Sequence, residues 1–140
     1  MTINPYLTFN GNCEEAFNFY KSVFGGEFQY IGRFNEIPEG EENTIPEAYG
    51  NNIMYVSFPI GNTVLMGSDN HPEYGNVSFG QNINISVSPE SKVEANRIFN
   101  ALANGGTITM PIADMFWGDY FGMVTDKFGV MWMVNFSNCD

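Results

Sequence analysis

Hydrophobic residues recur along the chain with two different periods, and these periods predict its elements. Apolar residues at three- and four-residue steps run from Cys13 to Phe24 and again from Ala95 to Leu102, a spacing typical of amphipathic helices. Apolar and polar residues alternate before each helix, at residues 6–9 and 82–87, as they do in a half-buried strand. The pattern therefore predicts two helices, each preceded by a short strand.

The ends of both helices carry local signals. Asn12 is a suitable N-cap residue for the first helix, and Glu15 stands at the reciprocal capping position three residues later. The second helix begins near Ser88 or at Ser91, which has its own capping partner in Glu94. Each helix ends at a glycine pair, because glycine accepts the left-handed conformation that follows a helix. The glycine pairs are at residues 25–26 and 105–106.

The second half of the chain repeats the first. Phe19 and Phe99 each precede a glycine pair by six residues. A strand follows each helix, and each half then closes with a hairpin. Aligning the two hairpins at Gly61 and Gly129 pairs Val64 with Trp132 and Met66 with Val134. The predicted strands after the helices are at residues 27–34 and 107–112, and the hairpins are at about residues 53–66 and 120–134.

These elements predict an α+β fold made of two β-α-β-β-β units. Residues 1–140 are expected to form a single domain, with unit one at about residues 3–69, a linker at about 70–80 and unit two at about 81–137. Two arrangements stay open: the sheets pack directly on each other, or they curl around a pocket. The hairpin strands are apolar on both faces, which favours a pocket. The acidic segment 35–50 is expected to be a solvated loop, with a lid over the pocket as the alternative.

Composition and charge narrow the function. The chain has 16 acidic and 5 basic residues, a net charge of -11, and its basic residues form no patch. Such a field repels phosphate backbones and anionic lipids, so we expect no nucleic-acid and no membrane partner. The 13 Phe, 7 Tyr and 2 Trp are more rings than one small core needs, which indicates a lined cavity or a subunit interface.

Cysteine use and the N-terminus indicate a compartment. The two cysteines, Cys13 and Cys139, provide no disulfide framework and fit a reducing cytosol. Residues 1–5 show neither the basic nor the apolar region of a signal peptide, and no apolar run approaches the length of a membrane span. We therefore expect a cytoplasmic protein. Cys13, at a helix N-terminus, either packs or carries a reactive thiol with a lowered pKa.

Several motifs resemble one protein family over nearly the whole chain. The chain is similar to the PhnB-like branch of the vicinal oxygen chelate superfamily, which includes glyoxalase I, bleomycin-resistance proteins and extradiol dioxygenases. The PhnB-like branch is often labelled 3-demethylubiquinone methyltransferase-like. The motifs are PYLTFNGNCEEA at residues 5–16, Phe19-Tyr20, Phe24-Gly25, VLMGSD at 64–69, FWGDYFG at 116–122 and VTDKFGVMWM at 124–133.

The resemblance implies an eight-stranded, cleft-forming mixed sheet pair with the two helices outside, commonly in a homodimer. Metal-dependent members place His and Glu on the first and last strands of each unit, and relatives often carry a His on the third strand. Here Tyr55 stands at that third-strand place, and none of the other columns holds His or Glu. These other columns fall at Asn4 or Tyr6, Leu65, Asn82 or Asn84, and Met133. We therefore predict no metal, and the absence of a glycine-rich phosphate loop predicts no cofactor.

The remaining candidate residues are aromatic, sulfur-containing or acidic. Asp119 is the one weak candidate for a catalytic base, and it differs from the His that some relatives carry there. Asp126 precedes a tight turn, where Asp commonly bonds its own backbone. The lone His71 is expected to be a surface or capping residue. The predicted ligand-binding residues are Tyr55, Met66, Trp117, Asp119, Tyr120 and Met133.

Three functions remain compatible with the sequence. The first is a metal-free protein that binds a small apolar or aromatic molecule in the cleft. The second is an enzyme of the superfamily, a lyase, isomerase or methyltransferase-like protein, that uses a displaced metal site or Asp119. The third is a dimeric interaction protein without a ligand. The missing metal ligands and the abundance of rings favour the first.

Overall fold

The predicted repeat of elements is present. The computed structural model describes residues 1–36 and 46–138, and in each half one strand, one helix and three further strands follow in order. The first half contains β1 (Tyr6–Phe9), α1 (Cys13–Phe24), β2 (Tyr30–Arg33), β3 (Ile53–Ile60) and β4 (Thr63–Asp69). The second contains β5 (Ile85–Val87), α2 (Lys92–Ala103), β6 (Thr107–Asp114), β7 (Asp119–Thr125) and β8 (Met131–Ser137).

Each half forms its own four-stranded mixed sheet. The strand order is β1-β4-β3-β2 in one sheet and β5-β8-β7-β6 in the other. The first strand of each half pairs in parallel with the last, and the other pairs are antiparallel. A parallel pair needs a long connection, which the helix and the two intervening strands supply. The α+β fold of two β-α-β-β-β units is therefore confirmed, while the cleft stays a prediction.

The chain divides into two compact units, Met1–Ser78 and Phe79–Asp140. The boundary falls within the predicted linker, where a short 3-10 helix runs from Pro72 to Tyr74. The Nδ1 of His71 accepts a hydrogen bond from the backbone N–H of Glu73 at 3.1 Å, so the lone histidine caps this turn. The predicted lid falls mainly on residues 37–45, which lie outside the described residues. In the part that is described, no helix has the length and apolar character of a membrane span.

The N-terminus of α1 is capped differently from the prediction. Asn12 has backbone angles of −113° and 24°, and its side chain makes no capping hydrogen bond. The Asp69 carboxylate instead accepts from the N–H groups of Gly11 and Cys13, both at 2.9 Å, and from that of Ile53 at 2.8 Å. A buried carboxylate at the end of β4 thus replaces the predicted Asn12–Glu15 pair. The prediction was wrong because the capping group comes from 56 residues away.

The cap of α2 is the local one. The hydroxyl of Ser91 accepts from the N–H of Glu94 at 3.0 Å, and α2 begins at the next residue after Ser91. The predicted start at Ser91 is therefore confirmed, and the alternative start near Ser88 is wrong. The helices have the same length of 12 residues, so counting from their first residues places Phe99 opposite Tyr20 rather than Phe19.

The predicted alignment of the two hairpins is shifted by one residue. Leu65, and not Val64, shares with Trp132 the buried side of its strand that faces the helix, and both are 1% exposed. The turns differ in length, with two residues between Ile60 and Thr63 and five residues, 126–130, between the paired ends of β7 and β8. Met66 corresponds to Met133, because each pairs with the first strand of its unit.

Candidate functional site

Each sheet presents two chemically different faces. One face packs against the helix of its own unit, as Gly67 and Gly122 show. A Cβ at Gly67 would lie 2.6 Å from the Phe17 ring of α1, and one at Gly122 would lie 2.6 Å from the Phe99 ring of α2. Side chains alternate along a strand, so the neighbours of these glycines point away from the helices. The predicted ligand-binding residues are located relative to these two faces.

Tyrosines dominate the face of sheet one that points away from α1. Tyr55 lies between two other tyrosines, with ring centroids 6.3 Å from Tyr6 and 5.9 Å from Tyr30. Tyr30 covers Gly32, where a Cβ would come within 2.5 Å of the tyrosine hydroxyl. Met66 pairs with Tyr6 on the same face. The structure thus brings the predicted residues Tyr55 and Met66 onto one face, and adds Tyr6 and Tyr30.

A row of methionines crosses the corresponding face of sheet two. Met123 pairs with Met133 on β8 and with Met110 on β6, and Met133 pairs in turn with Ser86 on β5. Met123 and Met133 pair in a regular stretch of β7 and β8, so their thioether side chains share a face. Met110 pairs with Met123 between two register shifts of β6. We name Met110, Met123 and Met133 the methionine row. Only Met133 of the three was predicted from the sequence, because the other two become its neighbours through strand pairing.

Aromatic rings border the methionine row at one end. Phe121 shares the face of Met123, two residues away on β7, and pairs with Asn135 on β8. The ring of Trp117 lies 6.1 Å from that of Phe121, and Trp117 is 50% exposed. Trp117 sits in the β6–β7 turn, which Gly118 permits by adopting a φ of 101°. Methionine and aromatic side chains together make an adaptable apolar surface.

The two polar candidates on β7 lie on opposite faces. Asp119 is half-buried, pairs with Ser137, and shares the face of Phe121 at its edge. Tyr120 points towards α2 instead. Its hydroxyl donates to the side-chain oxygen of Asn96 at 2.5 Å, and the Nζ of Lys92 lies 5.0 Å from its ring centroid. The structure does not bring Tyr120 together with the other predicted residues, because neighbouring strand residues alternate in direction.

Asp126 holds the β7–β8 turn. One carboxylate oxygen accepts from the N–H groups of Phe128 at 2.8 Å and Val130 at 3.1 Å, and the other accepts from the indole N–H of Trp132 at 2.8 Å. Asp126 is buried, and these hydrogen bonds to the turn and to Trp132 use both of its carboxylate oxygens. The structural role predicted for Asp126 is confirmed.

The residues at the first and last strands do not fit a hard divalent ion. The positions that face away from the helices are Tyr6, Met66, Ser86 and Met133. Divalent ions of this superfamily's kind require imidazole and carboxylate ligands. Leu65, one of the predicted columns, faces α1 instead, and the predicted Asn4 uses its side-chain oxygen to accept from the N–H of Val64 at 3.1 Å. Within residues 1–36 and 46–138, no group of three or more His, Cys, Asp or Glu could hold a metal ion.

Cys13 is not an activated thiol. Its side chain is fully buried at the start of α1. Burial raises the pKa of the Cys13 thiol far above its ordinary range, and the carboxylates of Asp69 and Glu14 raise this pKa further. Cys13 therefore packs in the core of its unit.

Comparison with known proteins identifies the family. The family model described as 3-demethylubiquinone-9 3-methyltransferase matches residues 1–135. The chain belongs to this family. It is 33% identical to Protein YjdN of Escherichia coli strain K12, over 96% of this chain and 95% of that protein. The predicted PhnB-like resemblance is confirmed, since the chain is also 29% identical to a PhnB protein from Bacillus cereus, covering 98% and 100% of the two chains with a TM-score of 0.76.

Solved structures of this family and beyond it share the fold. Protein PA1353 from Pseudomonas aeruginosa is 44% identical, with 98% of each chain covered and a TM-score of 0.86. The fosfomycin resistance protein FosX from Listeria monocytogenes is only 10% identical, yet it matches 96% of this chain and 91% of its own with a TM-score of 0.65. The chain thus has the glyoxalase and fosfomycin-resistance fold, and this distant likeness concerns the fold alone.

Proposed function

We propose that the protein binds a small, largely apolar or aromatic molecule without a metal ion, with the methionine row as the main contact surface. The observation that carries this proposal is the pairing of Met110, Met123 and Met133 beside Phe121 and Trp117. Thioether side chains are flexible and polarisable, so they adapt to flat rings of different shape. The tyrosine face of unit one offers a second surface of similar chemistry.

The chemistry of the face and the charge of the chain both restrict the ligand. Tyr6 and Met133 stand at columns where the resemblance places metal ligands, and their strand partners Met66 and Ser86 are not His or Glu either, so the proposed binding depends on apolar contact and hydrogen bonds. The net charge of -11 disfavours anionic ligands. The proposal includes the cytosolic location and the homodimer that the sequence analysis predicted.

Fluorescence titration tests the proposal. The neutral probe N-phenyl-1-naphthylamine should bind with a saturable rise in emission and should quench the exposed Trp117, 6.1 Å from Phe121. Trp117→Phe leaves Trp132 as the only tryptophan. A naphthylamine also quenches a nearby buried indole by energy transfer, so the quenching of Trp117 is read from the difference between the parent and this variant. Met133→Gln puts a polar amide into the methionine row and should weaken probe binding roughly tenfold, the cost of about 1.4 kcal/mol of lost contact.

A substitution on a helix serves as the control. Val93→Gln puts the same polar amide at an 81% exposed position of α2, on the side of sheet two that is opposite the methionine row. This variant should bind the probe as the parent does. Equal binding by the parent and Met133→Gln, with no response from Trp117, would remove the support for the proposal. Elemental analysis that finds about one transition-metal ion per chain would contradict its metal-free part.

One observation keeps the enzymatic alternative in view. Asp119 shares the face of Phe121, so a bound molecule at the methionine row could meet a carboxylate that acts as a base. The family description names a methyltransferase, which is an enzyme and not only a binding protein. The variant Asp119→Asn distinguishes the two functions. If the protein only binds, this variant should keep the probe affinity of the parent. If the protein is an enzyme with Asp119 as its base, this variant should lose catalytic turnover. The binding function has the larger support, since it rests on several side chains and not on one.

A further inference from the structure

A buried polar atom without a partner lies beside the methionine row. The side-chain oxygen of Asn135 is buried and accepts no hydrogen bond from the residues that the structure describes. Asn135 pairs with Phe121 and follows Met133 by two residues on β8, so its side chain shares their face. Buried polar groups in folded proteins nearly always have partners, and an exception calls for a physical explanation.

Other amide side chains of this protein do have partners. Asn96 accepts from Tyr120, Asn4 accepts from Val64, and Asn10 both donates to and accepts from Val77. These three satisfy their oxygens at the helix side or at strand ends. Asn135 differs because its neighbours Phe121, Met123 and Met133 have no strong donor in their side chains. Ser137, two residues further along the same face, has a hydroxyl, but the oxygen of Asn135 accepts no hydrogen bond from it. A donor from outside the face can therefore satisfy this acceptor.

We infer that the side-chain oxygen of Asn135 is the polar anchor of this face, and that the ligand is a neutral aromatic molecule with a hydroxyl or N–H group that donates to it. The inference rests on the proposed function and specifies its ligand class. The ring lies against the methionine row and Phe121, and the donor group reaches Asn135. An ionised hydroxyl has no proton to donate, and the net charge of -11 opposes an anion as well.

The oxygen is buried, so a ligand must displace a side chain to reach it. The inference assigns this movement to Met133, which stands two residues away on the same face and has three rotatable bonds. The acceptor is desolvated and unpaired, and a donor that reaches it satisfies it. The protein should therefore bind a ligand with a donor group more tightly than an otherwise equal ligand without one. A site that forms a hydrogen bond with a hydroxyl rejects the analogue that lacks it.

Two probes with the same ring system test the inference. Isothermal titration calorimetry compares 2-naphthol, which has a hydroxyl donor, with 2-methoxynaphthalene, which has none. The parent protein should bind 2-naphthol more tightly by roughly three- to tenfold, the worth of one hydrogen bond. Asn135→Leu has a similar shape and no acceptor, so its ratio of affinities should fall to about one. This variant should melt at a temperature no lower than the parent, because it removes a buried unpaired group.

The control makes the same change on the other side of the sheet. Asn96→Leu removes an amide that already has Tyr120 as its partner, and the preference for 2-naphthol should remain. The inference is overturned if Asn135→Leu keeps the preference, or if the parent binds both probes equally. In the second case the proposed function survives, with a water molecule as the partner of Asn135. If the parent binds neither probe, both the inference and the proposed function fail. A change of oligomeric state in Asn135→Leu, seen by light scattering, would assign the oxygen to a subunit interface instead.

Discussion

The indole N–H of Trp132 donates to the carboxylate of Asp126 across 2.8 Å, and both residues are buried. The other tryptophan, Trp117, is 50% exposed, and its ring contacts those of Phe116 and Phe121 at centroid distances of 5.0 and 6.1 Å. Trp132→Ala should therefore lower the free energy of unfolding by about 3–5 kcal/mol, as large core truncations do. Trp117→Ala should cost about 1 kcal/mol or less. Urea denaturation measures both, and equal losses would place Trp117 in the core.

Asp69 should matter far more to stability than the predicted cap residue Asn12. Asp69→Ala leaves the buried N–H groups of Cys13 and Ile53 without their acceptor, which should cost about 3 kcal/mol or more. Asn12→Ala removes no capping hydrogen bond and should change the free energy of unfolding by about 0.5 kcal/mol or less. Thermal melts of the two variants check the contrast. A larger loss of stability in Asn12→Ala than in Asp69→Ala would indicate that the side chain of Asn12 caps α1, as the sequence predicted.

The contrast between the two helix caps shows what local sequence can predict. Ser91 and Glu94 are three residues apart, so their reciprocal positions are visible in the sequence and the cap is present. Asn12 and Glu15 have the same spacing. However, the pairing of β1 with β4 places a carboxylate oxygen of Asp69 at the N-terminus of α1, where it accepts a hydrogen bond from the N–H of Cys13. A tertiary contact of this kind leaves no signal at Asn12. The helices, strands and repeat were predictable because the hydrophobic period, together with the glycines that end helices and form turns, is visible in the sequence.

The candidate site was less predictable, because it depends on strand register. Asp119 and Tyr120 are adjacent in the sequence, and only the pairing of β7 with β8 assigns them to opposite faces. The same pairing turns Met110 and Met123, which the sequence analysis did not select, into neighbours of Met133. The one-residue shift between the hairpins shows in which residues face the helix, since Leu65 and Trp132 are both buried there. Strand register therefore limited the site prediction more than residue chemistry did.

The ion pair between Glu14 and Arg33 should make stability depend on pH. Arg33 binds both carboxylate oxygens of Glu14, at 3.0 and 2.6 Å, and this hydrogen bonding lowers the pKa of Glu14. A depressed folded-state pKa gives stability that is present above the unfolded pKa of about 4.3 and lost as the pH falls through the folded pKa. The pair is partly exposed, so Glu14→Gln should be less stable by about 0.5–1 kcal/mol at pH 7.

This deficit should shrink below about pH 4 and vanish where Glu14 is protonated in the parent. Urea titrations of both proteins between neutral and acid pH measure it. Glu27→Gln is the matched control, because the Glu27–Lys21 pair is more exposed, with the Glu27 side chain 83% accessible, and should show almost no deficit at any pH. A deficit for Glu14→Gln that stays constant down to the acid range would exclude the ion pair as its source.

Cys13 should be inert towards thiol reagents in the folded protein. The chain has two cysteines, so Cys139→Ser leaves Cys13 as the only thiol. Burial raises the pKa of Cys13, hence the reactive thiolate is scarce near neutral pH and the reagent has no access. The variant should react with Ellman's reagent only when urea unfolds it, and then with one thiol per chain. Rapid reaction of the native variant would show that α1 opens, or that the thiol is activated after all.

Assembly as a homodimer stays a prediction, and an exposed ring gives it a test. Phe116 is 97% exposed beside Trp117, and its ring lies 5.0 Å from the indole. Large apolar side chains in such exposure often mark an interface. Light scattering at micromolar concentration should give twice the chain mass, and Phe116→Asp should convert the dimer to monomer while leaving the fold intact. Val93→Asp, at an 81% exposed position on α2, is the matched control and should remain dimeric. A monomeric parent would exclude the dimer, and a dimeric Phe116→Asp would place the interface elsewhere.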